Sequence, residues 1–158
     1  MRMSNRIFLD SSILIEYTKN SRPELFEALL EGERFDLCFG SPVISEFLFH
    51  FLAIAGNKSP LSVKMSGQIG ALLAKGNPLD IFRPLVFLPD DATVLSDTVR
   101  LMQQYNLLPN DALILALCKL HSIRILASFD PDFEPACSGE GVLLIQSVES
   151  FAQFASRT

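Results

Sequence analysis

Short aliphatic runs recur along this chain, each passing straight into a segment of helical character, and that alternation leaves few folds open. The runs lie at residues 6–10 (RIFLD), 36–40 (DLCFG), 83–89 (RPLVFLP), 123–128 (IRILAS) and 141–146 (GVLLIQ). Strands separated by helices pair through crossovers, which gives a parallel sheet covered on both faces. The expectation is therefore an α/β fold, a three-layer α/β/α sandwich around a mostly parallel sheet. No repeat, low-complexity tract or linker divides the 158 residues, so a single domain over 1–158 is expected.

Between the runs, a helix is predicted from Ser11 or Ser12 to Lys19, and a second from Arg22-Pro23 to Gly32. Ser41 is read as the cap, and Pro42 as the first residue, of a helix ending at Gly56-Asn57. One continuous helix is predicted from Pro60 to Lys75, and another over residues 90–105 with acids in its first turn. Pro109-Asn110-Asp111 opens a helix that is apolar nearly all round and so central. Residues 130–136 read as a turn with at most one helical turn, and Ser147 caps a terminal helix.

Composition excludes several classes. Nearly half the residues are apolar and 20% are charged, as in a core-rich globular protein. The greasiest stretch, residues 43–56, carries Glu46 and His50 and is too short for a membrane span, and the N-terminus lacks the features of a signal peptide, so a cytoplasmic protein without membrane contact is expected. Cys38, Cys118 and Cys137 form no CxxC pair and read as buried thiols. The net charge of −5 argues against a protein whose main task is gripping nucleic-acid backbone. It does not argue against a nuclease, because bound metal would neutralise several of the acids. Lys58, Lys64, Lys75 and Arg83 are either a local basic rim or scattered solvated charges.

Four acids stand where strands hand over to helices: Asp10, Glu46, Asp111 and Asp130. Sites in open parallel sheets form outside the carboxyl ends of the strands. Asp10 closes the first strand, Asp130 follows the fourth, and Glu46 and Asp111 lie near helix N-termini facing the same edge. Converging carboxylates raise one another's pKa, which a hard divalent cation relieves. With only His50 and His121 in the chain, no Ser/His/Asp set competes. Taken singly, Asp10 and Asp111 also fit as helix caps and Asp130 as turn chemistry. Glu46, inside the apolar run SPVISEF, needs a partner or an ion.

These motifs resemble the PIN-domain family of metal-dependent ribonucleases, most of all its VapC-like toxin branch. FLDSSILIE resembles the opening strand and its Asp, SPVISEF the second motif, and NDALILALCKLHSIRILASFDPDF the third and fourth. The resemblance implies a PIN-like domain with Asp10, Glu46, Asp111 and Asp130 as catalytic and metal-binding acids for Mg²⁺ or Mn²⁺. It also implies that Ser12 and Ser128 support them and that Asp132 acts behind them. An endoribonuclease cutting single-stranded or structured RNA follows, the toxin of a toxin–antitoxin pair with a cognate antitoxin. The hydrophobic helices at residues 11–31 and 42–75 are either a homodimer face, an antitoxin groove or buried inside the domain, and a homodimer is expected. A PIN-like module that binds RNA or protein without cutting is the alternative. Residues 58–83 are longer than compact members need and are expected to hold an extra element.

Overall fold

A computed structural model describes residues 5–157; the readings that touch residues 1–4 and 158, the N-terminal leader question and the outer limits of the single domain, lie outside the described residues. The strands are β1 (Arg6–Leu9), β2 (Asp36–Phe39), β3 (Val86–Phe87), β4 (Ile125–Ala127) and β5 (Leu143–Ile145). They form one sheet in the order β3-β2-β1-β4-β5. Every described pairing is parallel, with Phe8 opposite both Cys38 and Leu126.

That order explains the three layers. The chain moves outward from β1 to β2 to β3, then returns across the sheet to β4 and continues to β5 on the other side. Right-handed crossovers in opposite directions lay their helices on opposite faces. α1 (Ser11–Thr18), α2 (Glu24–Glu31) and α3 (Ser41–Gly56) belong to the first direction. α6 (Val94–Tyr105), α7 (Pro109–Leu120) and α8 (Phe133–Glu140) belong to the second. α9 (Val148–Ala155) leaves β5 and packs on α2. Strands covered on both faces carry no polar alternation. Ile7, Phe8, Leu9, Cys38, Leu126 and Ala127 are accordingly all sealed from solvent.

α7 is as central as its sequence implies, with Ala112, Ile114, Leu115, Ala116, Leu117 and Cys118 buried. It packs along α6, and this layer is locked by charge. Arg100 donates to both carboxylate oxygens of Glu140 at 2.9 Å, Lys119 lies 3.3 Å from Glu140, and Tyr105 Oη donates to it at 3.0 Å. The Arg100 hydrogen bonds hold the Glu140 carboxyl down at about 2. All three cysteines are buried and free, and burial pushes the thiols of Cys38 and Cys137 up to about 11 and 12. Thiols so far from ionising are core residues and not nucleophiles.

Several boundaries differ from the sequence reading, each for a local reason. The predicted helix from Pro60 to Lys75 is two helices, α4 (Pro60–Met65) and α5 (Ile69–Lys75). Ser66 Oγ turns back onto the carbonyls of Ser62 and Val63, and Gly67 takes φ +67°, so its N–H reaches Lys64 and that of Gln68 reaches Val63. These are helix-ending bonds that glycine allows at no steric cost. A 3-10 turn over Pro78–Phe82 completes this extra segment. Gly40, not Ser41, is the N-cap of α3, and Ser41 is already helical. α6 begins at Val94, because Asp91 accepts from the N–H and hydroxyl of Thr93 and makes a turn of the residues before it. α8 runs two turns where at most one was predicted. Pro135 falls in its first turn, where no donor is missed, and Phe133, Ala136 and Cys137 bury one stripe.

Candidate active site

The strand order reverses between β1 and β4, and in a parallel sheet that reversal opens a crevice at the carboxyl ends of the two strands. Asp10 stands at the end of β1 and Ser128 to Asp130 follow β4, so both sides of the crevice carry site residues. The main chain joins them, Asp10 N–H donating to the Ala127 carbonyl at 2.9 Å.

Asp10 is 4% exposed and is held by hydroxyls from both strands. Its Oδ2 accepts from Ser12 Oγ at 2.6 Å and from Ser128 Oγ at 2.7 Å. Each serine also accepts from the loop after β4, Ser12 Oγ from Phe129 N–H and Ser128 Oγ from Asp130 N–H, both at 3.0 Å. Two hydroxyls thus orient one carboxylate and pin the loop that carries another. Both serines of the sequence reading, Ser12 and Ser128, are thus in contact with Asp10. The cap reading of Asp10 holds as well, since Oδ2 lies 3.4 Å from Ser12 N–H at the start of α1.

Asp130 is half-buried, and its Oδ1 accepts from Asp132 N–H at 2.9 Å. Asp132 is exposed, and its amide orients Asp130 while its own carboxylate stays at the rim. Asp111 lies in the first turn of α7 but caps nothing; Leu108 is the N-cap, and Pro109 supplies the first helical residue. Glu46 is set by Val43 and Phe47, which anchor the first turns of α3 in the core. It is half-buried and accepts a weak hydrogen bond from Asn110 at 3.3 Å. The partner its apolar surroundings required is therefore an asparagine. Asn110 escaped the sequence reading, and its only signal was its place beside Asp111 in the first turn.

An open cleft of about 390 Å³ is lined by Glu46, Leu108, Pro109, Asn110, Asp111 and Asp130. Asp10 lies behind it. Burial first, then the charges of Asp10, Asp130, Glu46 and Asp132, push the Asp111 carboxyl up to about 7. The other three sequence-predicted acids therefore all bear on Asp111. Among the described residues no three acidic, histidine or cysteine side chains are close enough as they stand to enclose an ion. Like charges resist a tighter grouping. The donor set itself, carboxylate oxygen without nitrogen or sulfur, fits a hard divalent cation. None of Lys58, Lys64, Lys75 and Arg83 lines this cleft. A second cavity, about 520 Å³, lies between α1, α2, α3 and the 3-10 turn and is walled by Tyr17, Phe47, Phe51 and Ile81, with Glu27 and Asp80 at its rim.

Residues 7–137 match the model of the PIN domain family. The chain is 33% identical over 132 residues to Ribonuclease VapC2 of Methanocaldococcus jannaschii, covering 82% of this chain and 88% of that protein. It is 29% identical over 140 residues to Ribonuclease VapC6 of the same organism, with 82% and 92% covered. Among solved structures it superposes on VapBC2 from Rickettsia felis bound to a promoter DNA fragment, with a TM-score of 0.60 at 16% identity over 89% of this chain and 97% of that one. It also superposes on PAE2754 from Pyrobaculum aerophilum, with a TM-score of 0.55 at 14% identity over 97% and 90%. These superpositions bear on the fold, and the family match spans the strands and acids of the crevice. The chain belongs to the PIN domain family.

Proposed function

We propose that this protein is a metal-dependent endoribonuclease and the toxin of a toxin–antitoxin pair. The observation that carries the reading is Asp111, a carboxyl raised to about 7 by burial and by four neighbouring carboxylates at the switch point of the sheet. Such a focus of negative charge opposes folding unless something positive occupies it. The names of the Methanocaldococcus jannaschii relatives support ribonuclease activity, and the structural neighbours that are toxin–antitoxin complexes support an antitoxin partner.

In this reading Asp10, Glu46, Asp111 and Asp130 hold Mg²⁺ or Mn²⁺. A bound ion of this kind neutralises phosphate charge and makes a bound water more acidic. The chain's own work is positioning. Ser12 and Ser128 fix the direction of Asp10, Asp132 N–H fixes Asp130, and Asn110 steadies Glu46. Burial and its neighbours favour a proton on the Asp111 carboxyl below about pH 7, and a cation held there would compete with that proton. The cavity lined by Tyr17, Phe47, Phe51 and Ile81 is the place for the antitoxin, and a homodimer working in the cytoplasm completes the proposal. No helix among the described residues is long and apolar enough to cross a membrane.

Asp10→Asn and Asp111→Asn are each expected to abolish Mn²⁺-dependent cleavage of single-stranded RNA while leaving the circular dichroism spectrum unchanged. Cleavage that survives both changes and excess chelator sinks the nuclease reading. Expression of the unmodified protein is expected to arrest growth and that of Asp10→Asn is not; equal growth removes the toxin assignment alone.

A further inference from the structure

The cleft's carboxylates repel the backbone of the proposed substrate, and a chain of net charge −5 has few cations to offset them. Four of the thirteen are committed to ion pairs within the protein. Lys19 pairs with Glu16 at 3.3 Å, Arg83 with Asp80 at 2.8 Å, and Arg100 and Lys119 with Glu140 at 2.9 and 3.3 Å.

Arg22 is held differently. It lies in the turn between α1 and α2, and its guanidinium carbon sits 4.0 Å over the ring centroid of Phe129. Phe129 is the residue between Ser128 and Asp130, and its N–H is tied to Ser12 Oγ. Stacking on this ring places the cation against the loop that carries Ser128 and Asp130, although neither Arg22 nor Phe129 lines the cleft itself. Stacking uses the face of a guanidinium and leaves its edge N–H groups free to donate. The ion pair of Arg22 with Glu16 is long, at 3.8 Å, and Glu16 is already engaged by Lys19 and the hydroxyl of Ser21. Among the described residues the Arg22 guanidinium makes no hydrogen bond, and its side chain is 56% exposed. A planar donor array, oriented by stacking on the residue before Asp130 and open to solvent, matches a phosphate group.

We propose that Arg22, stacked on Phe129, binds a backbone phosphate of single-stranded RNA next to the bond being cut, an inference that rests on the ribonuclease reading above. Arg22 is a positioning residue: it holds the strand against the repulsion of the acids, while the reacting atoms belong to the carboxylate set.

The test compares the unmodified protein with Arg22→Gln and Arg22→Lys, using a short single-stranded RNA in Mn²⁺ over a range of KCl concentrations. Cleavage gives kcat and KM; binding to the same RNA is measured with each change placed in Asp111→Asn. Arg22→Gln is expected to raise KM about tenfold, the scale of one charge-assisted contact, with kcat nearly unchanged. It also lowers the slope of log Kd against log salt by about 0.7, the single-strand value for one phosphate. Arg22→Lys keeps the slope and loses part of the affinity, because the charge stays and the planar stack goes. Unchanged KM and slope in an active Arg22→Gln overturn the role, as does a fall in kcat with the slope intact, which marks a packing role against Phe129. Failure of the unmodified protein to cut RNA overturns the ribonuclease reading first, and the role of Arg22 with it.

Discussion

Replacing Asp111 with asparagine is expected to stabilise the metal-free protein at alkaline pH while destroying its activity. The Asp111 carboxyl is raised from its ordinary 3.8 to about 7 by burial and then by Asp10, Asp130, Glu46 and Asp132. A carboxyl raised on folding binds its proton more tightly in the folded chain than in the unfolded one, so stability falls as pH climbs from about 4 to about 7. The full difference corresponds to ~4 kcal/mol at 1.36 kcal/mol per pH unit. Asp111 is partly open to solvent, which screens its neighbours, and about 1–2 kcal/mol is the figure to expect. For a chain of this length that raises the melting temperature by roughly 3–6 °C. Thermal unfolding followed by circular dichroism in chelator, at pH 8 and at pH 4, reads it directly. Asp111→Asn should melt higher at pH 8 and level with the unmodified protein at pH 4, where Asp111 is itself neutral. Adding Mn²⁺ at pH 8 should reverse the order, since the ion rewards the charge that asparagine lacks. Equal melting at pH 8, or a gain that persists at pH 4, refutes the claim that Asp111 is the electrostatic focus.

Ser128→Ala removes the 2.7 Å bond to Asp10 and the acceptor of Asp130 N–H, both in buried or half-buried positions. A loss of about 2 kcal/mol in urea unfolding is expected, with a fall in RNA cleavage; a loss below about 0.5 kcal/mol would show that Asp10 does not depend on it. Glu140, held down at about 2 chiefly by Arg100, contributes stability that is complete above about pH 4.5 and drains away as pH falls towards 2. Its side chain is 11% exposed and that of Arg100 38%, so about 1–2 kcal/mol is at stake after screening. Glu140→Gln should flatten the acid limb of the stability curve, and an unchanged limb would place acid unfolding elsewhere.

The part of the site that rests on periodicity and strand order was legible in the sequence. Asp10 ends a buried run and Asp111 opens an apolar helix, and those two facts already send both to the carboxyl edge of the sheet. Parallel pairing did the rest, because it puts every strand end and every following helix start on one side. What escaped depends on contacts between remote residues. Nothing near Arg22 announces Phe129, and nothing near Asn110 announces Glu46. The Gly67 break was visible in principle as a serine and glycine inside a helical pattern, but the pattern on either side is equally apolar and masks it. α8 was read too short because residues 130–136 are rich in turn formers, although Pro135 falls in the first turn, where it does not end a helix.

The two serines that meet on Asp10 are far apart in the order of synthesis. Ser12 is made 116 residues ahead of Ser128, yet both hydroxyls meet on one carboxylate. An unfinished chain therefore cannot assemble the crevice, however well its first strands and helices have formed. For a protein proposed to destroy RNA, the arrangement withholds the site until the Ser128 loop has been made and has folded back beside β1.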